Sequence, residues 1–357
     1  MWSIASATRR LGTLSSAAAR SSTSARAAGG AAAAALAFAV AAQQQQTAEC
    51  LSKPDGVTSL RKKSFDLDEH HHGKAKVRVL RVRPGGSSEG VQTVQEYTVA
   101  TRLFSPAYSA VFTAEDNAGL VATDTQKNTV YVVAQKSTAT TPEAFGVDMA
   151  THLLNEYPIL TAVEVDVTED LWKRHVTPEG PHEHGFIKHA PERSVARVRL
   201  ARDAPDAPEV VSLVTGLTVL KTTQSGFDKY LHDQYTLLPD TQERCLATEM
   251  TLEWTYTTSK GVDYGAVRES VRAGMLHGFF GAPKGGLFSA SLQATIYDAG
   301  CLVLASTPAV AAISIDTPNI HMIPFHALKA LTGKPFADDV YVATSEPSGS
   351  IHCRIKR

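Results

Sequence analysis

Two successions of strand-type alternation, separated by a proline-bounded break, limit the folds open to this chain. In the first, residues 74–83 place Val77, Val79 and Val82 between Arg78 and Arg81, and residues 91–104, 163–167 and 195–200 read as further strands. Asp116-Asn117-Ala118-Gly119 is a turn signal, and residues 120–125 then lead into 128–133. Thr141 as cap and Pro142 as first residue predict a helix to about residue 157, with Phe145, Met149 and Leu153 as its core-facing stripe. Pro205 to Pro208 form the break. The same grammar then returns: strands over 217–220 and 246–256, and a long helix carrying Tyr264, Val267, Val271, Met275 and Phe279. A strand-like run over 287–293, a short helix over 294–305 and a strand over 310–315 follow. Strands outnumber helices and often succeed one another. An antiparallel α+β protein is therefore expected rather than a doubly wound sheet. An echo of Ala122-Thr123-Asp124-Thr125-Gln126-Lys127 in Lys221-Thr222-Thr223-Gln224-Ser225 suggests two similar domains. A chain of 357 residues has the length for them.

The N-terminal segment is different in kind. Residues 1–50 are mostly Ala, Ser, Thr and Gln, contain Arg9, Arg10, Arg20 and Arg26, and reach their first acidic residue at Glu49. That composition reads as a mitochondrial-type presequence. Ile4, Leu11 and Leu14 share one helical face, with Arg9 opposite. The apolar run 31–42 is shorter than the about 20 residues a membrane span needs. Gln43 to Gln46 read as linker. The expected organisation is a targeting segment and linker over 1–64, a first domain over 65–203 and a second over 204–357. A net charge of −1, with no basic stripe, points away from nucleic acid. Cys50, Cys245, Cys301 and Cys353 are too dispersed for a disulfide framework or a zinc site, so a reduced intracellular protein is the default.

The chemistry concentrates in Val219-Leu220-Lys221-Thr222-Thr223-Gln224-Ser225-Gly226-Phe227, followed by Arg244. An aromatic face and a guanidinium fork, with hydroxyls close by, suit a planar anionic heterocycle. Glycine-rich nucleotide loops are absent from the sequence, so a flavin or nicotinamide enzyme is not indicated. His182-Glu183-His184, with His175 and His189 nearby, invites a metal reading. Pro178, Gly180 and Pro181 argue instead for a surface loop. His70-His71-His72 reads as a solvated polar turn. Lys74, Thr123-Asp124, Gln293 and Asn319-Ile320-His321 are each ordinary alone but form a less ordinary set beside Phe227 and Arg244.

From Gly73 to near its end the chain resembles the urate oxidase (uricase) family. Several strings carry the likeness: Gly73-Lys74 with Val77-Arg78-Val79; Asn117 with Val121-Ala122-Thr123-Asp124 and Lys127-Asn128-Thr129-Val130-Tyr131; Pro181-His182-Glu183-His184-Gly185-Phe186; and Gly216-Leu217-Thr218-Val219-Leu220-Lys221 through Phe227. Further along come Tyr235-Thr236, Arg244, Ala247-Thr248, Leu292-Gln293-Ala294-Thr295 and Pro318-Asn319-Ile320-His321. The resemblance implies the tunnelling fold, in which two tandem antiparallel-sheet domains with helices on one face assemble as a homotetrameric barrel. It implies oxidation of urate by dioxygen to 5-hydroxyisourate and hydrogen peroxide with no metal or organic cofactor. By the same likeness Phe227 stacks on the substrate, Arg244 and Gln293 grip its edges, and the Leu292 backbone N–H adds a donor. Thr123 and the Asp124 backbone arrive from a neighbouring subunit. Lys74, Thr123 and His321 form a proton relay, and Asn319 with Thr123 holds dioxygen or water above the ring.

Departures accompany the likeness. Ile320 stands where a lysine is common, Met322-Ile323-Pro324 replaces a more aromatic segment, and Ile355-Lys356-Arg357 is not a peroxisomal Ser-Lys-Leu type address. The alternatives are a tunnelling-fold protein that binds a purine or pterin without oxidising it, and a metal-dependent hydrolase built on His182 and His184. The retained Lys74, Thr123 and His321 speak against the first.

Overall fold

The computed structural model describes residues 39–45, 65–84 and 91–357. Residues 1–68 and 69–357 form two separate units. In the first, residues 39–45 are helical, so Gln43, Gln44 and Gln45 belong to a helix rather than a linker. The rest of the expected targeting segment lies outside the described residues. No helix among the described residues is long and apolar enough to cross a membrane.

The second unit is built on one antiparallel sheet. Strands β1 (His72–Pro84) and β2 (Gln92–Phe104) lead through a 3-10 turn, Pro106–Tyr108, into α1 (Ser109–Thr113), α2 (Thr123–Lys136) and α3 (Pro142–Glu156). Strands β3 (Ala162–Thr177), β4 (Gly180–Ala201), β5 (Glu209–Lys221) and β6 (Leu246–Tyr256) follow. Then come α4 (Tyr264–Phe280), α5 (Leu292–Ser306), β7 (Val310–Asp316), β8 (Asn319–Pro324), α6 (Leu328–Thr332), β9 (Tyr341–Thr344) and β10 (His352–Lys356). The sheet order is β1-β2-β3-β4-β5-β6-β7-β10, and β8 pairs with both β6 and β9. The proline-bounded break at 205–208 does not interrupt the sheet: β4 and β5 pair from Arg193↔Thr215 to Arg199↔Glu209.

Alternation decides which side of each strand is buried. Val163, Val165 and Val167 of β3 point one way, with Val198 and Leu200 of β4 and Tyr97, Val99 and Leu103 of β2. They form one cluster with the Phe145, Met149 and Leu153 stripe of α3. Thr141 caps that helix by accepting from Ala144 N–H, and Pro142 needs no donor there. A second cluster joins Met250, Leu252 and Trp254 of β6 and Ile313 and Ile315 of β7 to Val271, Met275 and Phe279 of α4 and Ile296 and Val303 of α5. Helices α4 and α5 meet at Gly278, where an added Cβ would lie 2.5 Å from Ala299 Cα. Only glycine lets the backbones come so close.

Four readings of the sequence change. The run 120–133, read within the first strand succession, is mostly helical: Thr123-Asp124 is the first turn of α2, where an acidic side chain faces the positive end of the helix. Gln126, Val130, Val133 and Ala134 recur at helical spacing and are buried, which holds the β-branched run in a helix. Residues 287–291 are not a strand: Gly285 and Gly286 take left-handed φ values, and Ser291 then caps α5 by accepting from Ala294 N–H at 3.1 Å. His182-Glu183-His184 lies on β4 rather than in a loop, because Thr177↔Gly180 closes the hairpin and confines Pro178 to its turn. His70, His71 and His72 are not a solvated turn either. Their rings pack against Phe112, Phe104 and Tyr108.

Candidate functional site

The functional stretch is held by its backbone and by one lysine. Val219 and Lys221 share the inward face at the end of β5. Lys221 is buried, and its Nζ donates to Phe279 O at 3.0 Å, Leu287 O at 2.6 Å and Ser289 Oγ at 2.8 Å. Burial pushes its pKa down. The ammonium thus ties the end of β5 to the end of α4 and to the segment entering α5. Gln224 then takes a φ of 61°, and Gly226 N–H donates to Ser289 O at 2.9 Å. Phe227 and Thr241 exchange both backbone bonds, at 2.7 and 2.9 Å, and Arg244 N–H donates to Ser225 O at 2.8 Å. The side chains of Thr222 and Thr223 are exposed. Lys221 and the backbone pairings hold this turn.

A cavity of about 400 Å³ opens beside this turn. Its walls include Phe227, Arg244, Asn319 and His321, together with Cys245, Met322, Ile323 and Tyr341. The guanidinium carbon of Arg244 lies 5.2 Å from the centre of the Phe227 ring. Burial lowers the pKa of Arg244, and its Nε is buried with no hydrogen-bond partner. A desolvated, unsatisfied cation beside an aromatic wall favours a flat anionic ligand. Asn319 opens β8 opposite Thr248, donates its N–H to Gly349 O at 3.3 Å, and keeps Oδ1 buried and unpartnered. Buried Thr248 fixes that strand entry by donating to Pro318 O at 2.8 Å. His321 pairs with Thr344 of β9.

Leu292 and Gln293 stand at the start of α5, one and two residues after its cap Ser291 and three and four after the Ser225↔Ser289 bridge. Leu292 is buried in the second cluster and Gln293 is exposed. Neither lines the cavity. The Leu292 N–H, in the first turn of its helix, has no intrahelical acceptor and is free to donate.

Lys74, Thr123 and Asp124 gather elsewhere, where β1 packs on α2. Gly73 allows the close approach of β1 to β2: a Cβ there would stand 2.0 Å from Thr101 O. Lys74 N–H donates to Thr101 Oγ1 at 3.4 Å, and Thr101 Oγ1 donates to Gln126 Oε1 at 2.8 Å. The Asp124 carboxyl is held below its usual pKa by a hydrogen bond from Lys127, and the Lys74 ammonium adds to the effect. None of the three lines the cavity. One chain therefore presents two groups: Phe227, Arg244, Asn319 and His321 in a cavity, and Lys74, Thr123 and Asp124 apart from it.

The histidines of the β3–β4 hairpin stand close together, with ring centres 4.6 Å apart for His182 and His184 and 6.3 Å for His175 and His182. Among the described residues no group of three or more His, Cys, Asp or Glu is arranged to hold a metal ion. Sequence reading missed Lys221 as an anchor. The signal was its inward position two residues after Val219. It also missed a buried polar network in which Glu143 accepts from Ser212 at 2.6 Å and from Arg268 at 2.7 Å. Glu169 lies 3.8 Å from the same arginine.

Comparison with known proteins agrees with this geometry. A family profile described as Uricase matches residues 70–199 and 210–352. Uricase-2 isozyme 2 of Glycine max is 37% identical over 302 residues, covering 81% of this chain and 94% of its own length. The uricase of Oryctolagus cuniculus is 31% identical over 301 residues, covering 84% and 98%. The crystal structure of uricase from Arthrobacter globiformis superposes with a TM-score of 0.73 at 31% identity, over 83% of this chain and 96% of the other. With its two-segment profile match, its antiparallel sheet and helices, and relatives matched almost end to end, the chain belongs to the uricase family.

Proposed function

We propose that the protein is a urate oxidase, converting urate, dioxygen and water to 5-hydroxyisourate and hydrogen peroxide. The observation that carries this reading is the cavity itself: in a chain of the uricase family, Arg244 and Asn319, each with a buried polar atom left without a partner, line one space with Phe227. Phe227 offers its face to the purine ring. Arg244 and Gln293 take opposite polar edges, Arg244 offsetting the charge of the urate anion, and the Leu292 N–H adds a donor. Lys74, Thr123 and His321 move the protons. Removing a second proton makes urate a strong one-electron donor. Dioxygen accepts the electron, and recombination at the ring gives a peroxide. Loss of hydrogen peroxide and addition of water complete the turnover, with the substrate supplying both electrons. Asn319 and Thr123 hold first dioxygen and then water above the ring.

Lys74 and Thr123 reach this cavity from a neighbouring copy, together with the Asp124 backbone, in a homotetramer. Their separation from the cavity within one chain supports this, as do exposed apolar side chains on both groups: Phe112, Tyr131 and Val132 near the first, Leu231, Tyr235 and Leu237 near the second. The Arg- and Ser-rich, acid-poor composition of residues 1–50 supports mitochondrial-type targeting, which imaging of a tagged full-length chain would test. Activity is tested by following urate absorbance and peroxide release on chelator-treated protein. Urate consumption with equimolar peroxide is expected. Stoichiometric urate binding without peroxide would favour a non-oxidising binder, and activity that returns only with added zinc or copper would overturn the cofactor-free reading.

A further inference from the structure

Phe227 carries a second ring on one face. Tyr230, three residues on, lies nearly parallel to it, with ring centres 4.7 Å apart and planes at 14°. His232 stacks in turn on Tyr230, at 4.4 Å and 26°. The column is closed at both sides of the turn that carries it: the Tyr230 hydroxyl donates to Leu238 O, and His232 Nε2 lies 3.2 Å from Asp240 Oδ1. Thr241 then pairs with Phe227 through the backbone, so residues 228–240 return to where they started.

The two faces of Phe227 differ. Phe227, Leu238, Thr241 and Arg244 line the cavity, whereas Tyr230 and His232 do not. The column therefore stands outside the cavity that Phe227 and Arg244 line together, with the guanidinium carbon 5.2 Å from the ring centre. A lone phenylalanine at a cavity wall must be ordered when a flat ligand settles on it. A parallel neighbour orders it in advance, and the offset stack itself favours the one ring plane.

We propose that Tyr230, backed by His232, is a positioning residue that fixes the plane of the Phe227 ring and thereby sets the affinity for the purine. The proposal rests on the reading of Phe227 as the stacking wall. It touches neither the proton relay nor the anion clamp, so the loss expected on removing the ring falls on binding rather than on turnover.

Urate titrated onto the assembled full-length protein under nitrogen gives Kd without turnover, and air-saturated assays give KM and kcat. Tyr230→Leu, which keeps apolar volume but no flat ring, is expected to raise Kd and KM about three- to tenfold with a much smaller change in kcat. Tyr230→Phe keeps the ring and is expected to restore both. His232→Ala, at the exposed end of the column, is expected to show about a twofold rise and serves where Tyr230→Leu does not fold. Phe227→Leu is the control. If it weakens binding while Tyr230→Leu and His232→Ala bind urate as tightly as wild type or more tightly, the positioning role is wrong and the wall stands. If Phe227→Leu also leaves Kd unchanged, the wall reading fails and the proposal with it.

Discussion

Arg244 and Lys74 separate binding from chemistry at the scale of single residues. Arg244 is desolvated beside Phe227 and has an unsatisfied Nε, so on the proposed reading its loss removes charge-assisted bonds to urate. Arg244→Ala is expected to raise KM by about ten- to a hundredfold, in line with about 1.5–3 kcal/mol for hydrogen bonds to a charged group. Lys74→Met is expected to lower kcat by about 10²- to 10⁴-fold with little change in KM, the range for a positioned acid or base. Steady-state kinetics of both variants check the split. A wild-type kcat in Lys74→Met would remove Lys74 from the relay. Phe227 and Arg244 could be singled out from the sequence because residue type alone suggests their chemistry, and the structure sets both on one cavity. The role of Lys221 could not be read this way. It looked like part of the site, but its ammonium is spent on two carbonyls and a serine hydroxyl in the fold.

At the scale of elements, Lys221 is the joint between β5, α4 and the entry to α5. Lys221→Met leaves one buried and one part-buried carbonyl without this donor and is expected to destabilise the protein by about 2–4 kcal/mol. Thermal or denaturant unfolding reads this directly. Unchanged stability would show that backbone pairing alone holds the turn. Elements with one clean period were readable: α3, α4, β6 and β7 fall close to where alternation or the spacing of four put them. Two failures have physical causes. In α2 the β-branched residues of 128–133 suggested extension, but the buried set Gln126, Val130, Val133 and Ala134 faces the sheet at helical spacing. In the hairpin of β3 and β4 the prolines looked like loop formers. They sit only at the tip, where neither has to donate inside the ladder.

At the scale of the whole molecule, buried charge joins the two clusters. Glu143 of α3 is fully buried and accepts from Arg268 of α4, and Glu169 of β3 approaches the same arginine. Two carboxyls thus share one cation. Burial raises the pKa of Glu169 to about 7, with the Glu143 charge adding to the rise while Arg268 and Arg81 oppose it. A carboxyl whose pKa is raised on folding is protonated without cost below its unfolded pKa of 4.5 and is increasingly penalised as the pH climbs to about 7. Stability is therefore expected to fall across that window by up to about 3 kcal/mol through this group. Glu169→Gln is expected to flatten that part of the profile in denaturant unfolding at pH 5 and pH 8, and an unchanged profile would exclude Glu169 as the source. No local pattern announces this network, because its members come from α3, α4, β3 and β5 and meet only after folding.

The same scale holds the central claim, that one chain carries two halves of different sites. Co-expressing Lys74→Met and Arg244→Ala chains tests it most directly. If Lys74 serves a neighbour's cavity, mixed assemblies contain sites with an intact cavity from one chain and an intact Lys74 from the other. Random mixing then restores activity to about a quarter of wild type, well above either variant alone. Mixed assemblies no more active than the average of the two variants would contradict the account and place the whole site within one chain.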